Sequence, residues 1–144
     1  MVLGTRSKCR AFHDQNLQVK INGEGIEYVN EIKYLGVVID PQMSFHNHIN
    51  YICKKNRIPE DLSFWSKLLV YNTIIFPHFN YCMSLLLSCT KEDVGRLQIL
   101  QNRAMRVILG CNRYTSIGVM LDDLKWLNVV QIIEQSNLVL IYRI

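Results

Sequence analysis

The sequence lacks the local patterns that most directly identify several classes of protein. Its longest apolar stretches, such as LLVYNTIIF, are far shorter than the roughly 20 residues that a membrane-spanning helix requires. It contains no Gly-x-Ser-x-Gly turn of the kind found in many hydrolases, and no glycine-rich phosphate loop. It has no Cys-x-x-Cys pair, the commonest spacing of structural zinc ligands. These absences remove the assignments that rest on a single motif.

The amino-terminal residues and the cysteines both favour an intracellular protein. The segment MVLGTRSKCRAF has neither a long apolar core nor a small-residue cleavage site, so it does not have the pattern of a secretory signal. The cysteines number five, an odd count that is typical of free thiols in a reducing compartment. We therefore expect an intracellular location and no membrane partner.

Size and charge set wide limits on function. A chain of 144 residues with 49% apolar residues is long enough to form one domain with a buried core. The net charge of +4 and the pI of about 8.8 make it mildly basic. That balance permits a polyanionic partner such as a nucleic acid, but it does not by itself predict one.

The first forty residues have the composition and spacing of β-strands. We predict strands over 8–13, 17–21, 26–29 and 32–39. Asn22-Gly23 predicts a tight hairpin turn, because both residues tolerate positive φ. Leu17, Val19 and Ile21 alternate with polar residues, which predicts a small antiparallel sheet with one face in water.

The residues after Pro41 have the pattern of helices. We predict helices over 44–55, 60–75, 91–109, 117–124 and from about 128 to the carboxyl terminus. Ser44 and Thr90 are the expected N-caps, with Asp93 completing a capping box, and Pro59 is expected to open the second helix. Gly110 is the expected end of the third helix.

The predicted fold class is α+β, with a small antiparallel sheet over 1–40 followed by an all-helical bundle over 41–144. The second helix is expected to pack through residues spaced three or four apart, namely Leu62, Trp65, Leu69, Asn72 and Phe76. Pro77 should kink or restart this helix, and the apolar pattern continues over 78–88.

The stretch HNHINYIC offers possible metal ligands, but their spacing argues against a metal site. His46 and His48 are two residues apart on a predicted helix and so point in different directions, while His46 and Cys53 share a face. Cys82 and Cys89 have the same seven-residue spacing as that last pair. We expect the cysteines to be small buried apolar residues and the histidines to lie at a helix start.

The carboxylates do not form a convincing catalytic pattern. Asp40 follows an apolar strand, where catalytic carboxylates often lie, but it precedes Pro41 and is expected to form a turn. Asp122 and Asp123 are expected on a solvent-exposed helix face. We predict no catalytic residue and no cofactor for this chain.

The helix predicted over 91–109 combines an apolar face with arginines. Its apolar face is formed by Leu97, Leu100, Ala104 and Ile108, with Gln101 among them. Arg96 and Arg103 lie about 100–120° from that face and Arg106 lies opposite it, taking 100° per residue. A stripe of arginines can bind phosphate, because the planar guanidinium donates two hydrogen bonds at once. The alternative is an ordinary solvent-exposed face.

Four stretches occur in an order that is specific only when they are taken together: RSKCRAF at 6–12, IKYLGVVID at 32–40, YNTIIFPHFNYC at 71–82 and LQILQNRAMRVILG at 97–110. In this order they resemble the carboxyl-terminal part of reverse transcriptases from non-LTR retrotransposons of the LINE and jockey type. The first is similar to the Lys-Thr-Lys strand of the palm, and the second to the strand pair that closes the palm. The third and fourth resemble the thumb helix and the helix that follows it.

The resemblance implies that 1–40 is the carboxyl-terminal edge of a palm and that 41–144 is a thumb with the following helical region. Tyr34, Leu35 and Gly36 then match the turn that grips the primer end. The expected partner is an RNA–DNA hybrid or primer-template, bound weakly and electrostatically. The expected nucleic-acid-binding residues are Arg6, Lys8, Lys54, Lys55, Arg96, Arg103 and Arg106.

The chain also departs from the family. The polymerase of such elements uses Mg²⁺ bound by aspartates, and none of Asp14, Asp40, Asp61, Asp93, Asp122 or Asp123 matches those motifs. We therefore expect a truncated RNA-directed DNA polymerase that is inactive alone. The alternatives are a non-catalytic nucleic-acid-binding module, a helical interaction module whose exposed apolar surface is covered by a protein partner, and a product without function.

Overall fold

The computed structural model describes residues 1–14, 19–55, 57–81, 86 and 89–142. Helix α1 spans Arg6–Asp14, and two separate β-hairpins follow it. Strand β1 (Lys20–Ile21) pairs antiparallel with β2 (Glu24–Gly25), and β3 (Ile32–Tyr34) pairs antiparallel with β4 (Val37–Ile39). The predicted α+β class is confirmed, with the strands divided between two small sheets.

Helix α1 shows that the strand predicted over 8–13 is wrong. A strand there would need a neighbouring strand to satisfy its backbone groups, whereas a helix satisfies most of them internally. The segment is tied to the rest of the chain by the Gly4 amide, which donates to the Pro41 carbonyl at 2.9 Å, and Cys9 is buried. The stretch RSKCRAF is therefore not a palm-like strand in this chain.

The other strand predictions are confirmed only in part. Within the predicted strand over 17–21, residues 17 and 18 lie outside the described part of the chain, and only Lys20–Ile21 forms a strand. Residues 26–29 form no strand beyond one hydrogen bond from the Ile26 amide to the Val19 carbonyl. Both Val19 and Ile21 are exposed, so the predicted sheet with one buried face is wrong for the described residues of this hairpin.

Both hairpins close through two-residue turns with the same backbone geometry. Asn22 and Gly23 have φ of 51° and 87°, which confirms the predicted turn, and Leu35 and Gly36 have φ of 47° and 87°. Positive φ at both central residues is the mark of a type I′ turn. The single strand predicted over 32–39 is therefore two strands, divided at Leu35-Gly36.

The rest of the chain is helical. Its elements are α2 (His46–Lys55), α3 (Phe64–Val70), a π-helical turn (Tyr71–Ile75), α4 (Phe76–Asn80), α5 (Lys91–Leu109), α6 (Ile117–Leu124) and α7 (Val129–Tyr142). Helix α5 contacts α2, α3, α6 and α7. Its predicted apolar face is buried as expected, together with residues of the neighbouring helices such as Ile49, Tyr71, Ile75 and Val129. Within the described residues, no helix is both long and apolar enough to cross a membrane.

The second helix begins later than predicted and packs through a different face. Its N-cap is Ser63, whose hydroxyl accepts from the Ser66 amide at 3.3 Å, and Pro59 lies outside the helix. Trp65 is 75% exposed and Leu69 is 62% exposed, so the face predicted to pack is largely in water. The buried residues of this region lie in the π-helical turn instead.

A π-helical turn lies where this helix meets Pro77. The Phe76 amide donates to the Tyr71 carbonyl, five residues earlier, directly before Pro77, which has no amide hydrogen to donate. Leu68, Tyr71 and Ile75 are spaced three and four residues apart and contribute to the core. The buried face is therefore the helix face beside the predicted one, and Trp65 and Leu69 remain exposed.

The ends of α5 follow the sequence closely. The Thr90 hydroxyl accepts from the Asp93 amide at 3.2 Å and donates to the Asp93 carboxylate at 2.8 Å, which confirms the N-cap and its capping box. Gly110 ends the helix with φ of 65°, as predicted. The helices predicted over 117–124 and from about 128 are also confirmed.

We expect the Leu35→Asn variant to be more stable than the wild type by about 1 kcal/mol, because asparagine adopts positive φ more readily than leucine. Little buried area is lost, since Leu35 is 72% exposed. Urea unfolding followed by the fluorescence of Trp126, which stacks on the buried Tyr71 ring at 4.0 Å, measures the change.

The reverse exchange, Asn22→Leu, is the matched control. It introduces the same backbone strain into the hairpin whose four strand residues are all exposed. We therefore expect a much smaller change in the urea midpoint. A Leu35→Asn variant that is less stable than the wild type would show that Leu35 makes stabilising contacts.

Candidate nucleic-acid interface

The turn predicted to grip a primer lies at the exposed tip of the second hairpin. Tyr34 is 62% exposed and Leu35 is 72% exposed, while Val37, the first residue of the returning strand, is buried. The Val38 amide donates to Nδ1 of the buried His48 at 3.4 Å, which ties β4 to helix α2. The tip is therefore accessible and its base is fixed.

Asp40 forms the turn that leads from β4 into α2, as its place before Pro41 predicted. Its side chain is buried, and its Oδ1 accepts from the amides of Ser44 and Phe45 at 2.9 and 3.0 Å. The carboxylate thus caps a short loop in which Met43 and Phe45 adopt positive φ. Helix α2 then begins at His46, slightly after the position that the Ser44 cap predicted.

His46 and Asp93 form a pair that the sequence did not indicate, because they are far apart along the chain. His46 Nδ1 lies 2.7 Å from Oδ1 of Asp93, whose side chain is only 2% exposed. Arg96 Nη1 lies 3.3 Å from Nε2 of the same ring, so the imidazole is held between the Asp93 carboxylate and the Arg96 guanidinium. The pair joins the start of α2 to the start of α5.

Arg96 is largely occupied by contacts within the chain. Besides His46, its Nη1 donates to the Asn50 amide oxygen at 2.9 Å and its Nη2 donates to Glu92 at 3.0 Å. A guanidinium with these partners has few donors left for a phosphate group. Its predicted place among the nucleic-acid-binding residues therefore has the weakest geometric support.

The remaining predicted cations are more accessible. Arg6, Lys8, Lys54, Lys55 and Arg103 are exposed, whereas Arg106 is half-buried. The buried Nε of Arg106 has no hydrogen-bond partner among the described residues. Lys54 and Lys55 form the carboxyl-terminal end of α2, directly after Cys53, which shares a cleft with Arg103.

Lys33 adds a positive charge that the sequence reading did not include. Its Nζ donates to the Tyr51 hydroxyl at 3.2 Å and lies 4.5 Å from the centre of that ring, and Lys55 lies 5.6 Å from it. Hydrogen bonds from Lys33 and Lys55 lower the pKa of Tyr51. The signal that could have found Lys33 is its position one residue before the turn residue Tyr34, in a strand beside α2.

Two amide side chains of α5, Gln98 and Gln101, bind the backbone at the start of α7, and Asn102 accepts from Gln98. Gln101 is 1% exposed, and its amide donates to the Leu127 carbonyl at 2.8 Å. Gln98 accepts from the Val129 amide at 2.9 Å and donates to Gln101 and Asn102, both at 2.9 Å. These contacts position α7 against α5.

The prediction that the cysteines are buried is confirmed for Cys9, whereas Cys53, Cys89 and Cys111 are partly exposed. Burial, together with the nearby carboxylates of Asp93 and Asp40, raises the pKa of Cys89 to about 11. Burial also raises the pKa of Cys53, against the opposing charges of Arg96 and Arg103. Cys82 lies outside the described residues, within which no group of three His, Cys, Asp or Glu side chains could hold a metal ion.

Comparisons with known proteins confirm the resemblance to non-LTR retrotransposon polymerases. The chain is 29% identical over 120 residues to a protein named as the probable RNA-directed DNA polymerase from transposon X-element of Drosophila melanogaster. It is 28% identical over 118 residues to the RNA-directed DNA polymerase from mobile element jockey of Drosophila funebris. It is 25% identical over 118 residues to the probable polymerase from transposon BS of Drosophila melanogaster.

These matches cover about three quarters of the chain but only a small part of each relative. The share of this chain is 74–75%, and the share of each of these relatives is 13%. No protein-family model and no solved structure matches the chain.

We expect Cys89 to react with iodoacetamide far more slowly than Cys111 in the folded protein. A thiol pKa of about 11 in place of 9.0 leaves about a hundredfold less thiolate at pH 8. Mass spectrometry of the separate cysteine peptides measures both rates in one sample. In urea the two rates should become similar, and equal rates in the folded protein would contradict the described burial of Cys89.

Proposed function

We propose that this chain is a non-catalytic part of an RNA-directed DNA polymerase of a non-LTR retrotransposon, comprising a palm edge and a thumb-like helical region. In this role it holds nucleic acid and does not polymerise by itself. The observation that carries the proposal is the similarity of about three quarters of the chain to polymerases of three such elements.

The second hairpin supports a contact with a nucleic-acid end. Its type I′ turn presents Tyr34 and Leu35 to solvent, and Gly36 has no side chain to hinder the close approach of another backbone. Leu35 keeps a positive φ that is unfavourable for leucine, and such strain is concentrated at functional sites in proteins. We propose that this tip contacts the primer strand.

The distribution of charge supports a polyanionic partner. Lys54, Lys55 and Arg103 are exposed and have no carboxylate partner within the described residues, where the ion pairs are His46–Asp93 and Arg96–Glu92. Unpaired cations near one another attract phosphates, and the affinity they give falls steeply with salt. We propose that these three residues contact the phosphate backbone.

The surroundings of the aspartates support the absence of polymerase activity. Two-metal phosphoryl transfer needs carboxylates that converge on Mg²⁺. Asp40 uses one carboxylate oxygen to cap a loop, and Asp93 uses both of its oxygens, for His46 and for Thr90. Asp40 and Asp93 therefore do not fit that metal centre, and no three His, Cys, Asp or Glu side chains of the described residues converge as metal ligands. We propose that this chain alone binds no catalytic Mg²⁺.

A second candidate function is protein interaction. Large apolar side chains are exposed near the end of α7 and on α3, including Leu138, Ile141, Tyr142, Trp65 and Leu69. Exposed apolar side chains become part of a partner interface where they lie together in one patch. Molar mass that rises with concentration, without hybrid binding, would favour this function over the first.

We expect the purified chain to bind a fluorescent RNA–DNA hybrid in a salt-dependent way and to incorporate no nucleotide. Fluorescence anisotropy at several salt concentrations measures the affinity, and primer extension with RNA template, dNTPs and Mg²⁺ measures incorporation. The Lys54→Gln/Lys55→Gln variant should bind several-fold more weakly, with a salt slope reduced by about two, because two phosphate contacts are removed.

The matched control is Lys91→Gln/Arg113→Gln, which removes the same charge from the first residue of α5 and from the loop between α5 and α6. It should bind nearly as well as the wild type. Incorporation above a no-protein control would overturn the proposed inactivity. Equal weakening by both double variants would show that net charge, and not the end of α2, determines binding.

A further inference from the structure

A cleft of about 270 Å³ lies between the end of α2, the segment after it, the π-helical turn and α5. Its walls are about half polar and half apolar, and the apolar part includes Ile58, Ile75, Leu100 and Val107. A cleft of this size is suitable for a phosphate group with part of its sugar and is too small for a duplex.

Two arginines line this cleft without a counter-ion. Arg57 and Arg103 are both exposed, and neither makes an ion pair or a side-chain hydrogen bond within the part of the chain that the structure describes. Glu60, also exposed, is the one carboxylate among the lining residues, so the lining carries a net positive charge. Positive charge beside apolar walls produces a focused potential that attracts anions.

We propose that the Arg57–Arg103 cleft binds one phosphate group of a single-stranded nucleic-acid segment, with both guanidinium groups donating to its oxygens. The sugar beside that phosphate would pack on Ile58 and Val107. This inference rests on the proposed function and adds a defined contact point and a strand type to it. A positively charged groove that is too narrow for a duplex is suited to following the backbone of one strand.

Cys53 provides a reporter inside the same cleft. It is half-exposed, and its thiol is influenced by the charge of Arg103, which opposes the effect of burial on its pKa. A bound phosphate would cover the thiol and would also neutralise that charge, so both effects would slow its alkylation. Cys111 is not among the lining residues and serves as the internal reference.

The test combines footprinting with affinity. The wild type, Arg57→Gln, Arg103→Gln and Arg113→Gln are titrated with a labelled single-stranded oligonucleotide of about 20 nucleotides and with the RNA–DNA hybrid. Cys53 and Cys111 alkylation rates are measured by mass spectrometry with and without saturating oligonucleotide. Circular dichroism and urea midpoints establish that each variant is folded, and Arg57→Gln, in a loop, remains informative if Arg103→Gln is unstable.

We expect the oligonucleotide to slow Cys53 alkylation at least fivefold and to leave Cys111 unchanged. Each cleft variant should weaken oligonucleotide binding about tenfold and reduce the salt slope by about one, whereas Arg113→Gln should have little effect. Arg103→Lys should restore part of the affinity, because it keeps the charge but loses the planar fork.

The outcomes separate this inference from the proposed function. In one outcome the wild type binds hybrid and oligonucleotide in a salt-dependent way, but Cys53 is not protected and Arg57→Gln and Arg103→Gln have no effect. That outcome would overturn the cleft as the binding site and leave the proposed function intact. Protection of Cys53 by a mononucleotide, without binding of either nucleic acid, would overturn the strand as ligand and the proposed function together. Binding of the hybrid alone would overturn the single-strand assignment.

Discussion

The buried face of helix α5 is the constraint on which the described fold depends, since α2, α3, α6 and α7 all contact this helix. The buried residues of α5 are apolar except for Asp93, Gln101 and Asn102, and a buried amide such as that of Gln101 is costly unless its hydrogen bonds are made. Here the amide donates to the Leu127 carbonyl and accepts from Gln98, so the polar group is satisfied only when α7 begins where it does. The apolar residues thus hold the neighbouring helices against α5, while the amide hydrogen bonds determine where α7 begins.

The parts of the fold that could be predicted are those controlled by neighbouring residues. The structure confirms three such features: the capping box of Thr90 and Asp93, the helix end at Gly110 and the tight turn at Asn22-Gly23. Each involves only residues that are neighbours in the sequence. The parts that were missed depend on distant contacts or on a local irregularity. Apolar residues over 60–75 occupy two neighbouring helix faces, and their spacing did not indicate that Tyr71 and Ile75 would be buried while Trp65 and Leu69 would be exposed.

The candidate site likewise has features that the sequence indicated and features that depend on residues far apart in the chain. The family resemblance led to the Tyr34–Gly36 turn, and the residue pattern led to the arginines of α5. Neither could reveal that Arg96 is held by His46 and Asn50, because those partners are separated from it by 50 and 46 residues. The accessible cations therefore lie toward the end of α2 and the middle of α5, and the described geometry favours that region over the start of α5.

Helix α7 is held very unevenly along its length. Its first turn has a reciprocal cap between Asn128 and Gln131 and receives the Gln98 amide oxygen, whereas Tyr142 at its last turn is 94% exposed. Such a helix should open first at its exposed Tyr142 end, so its amides should exchange hydrogen progressively faster from Val129 toward Tyr142. A pulling force applied at that end would detach the helix one turn at a time. The hydrogen bonds from Gln98 and Gln101 of α5 to the start of α7 would break last.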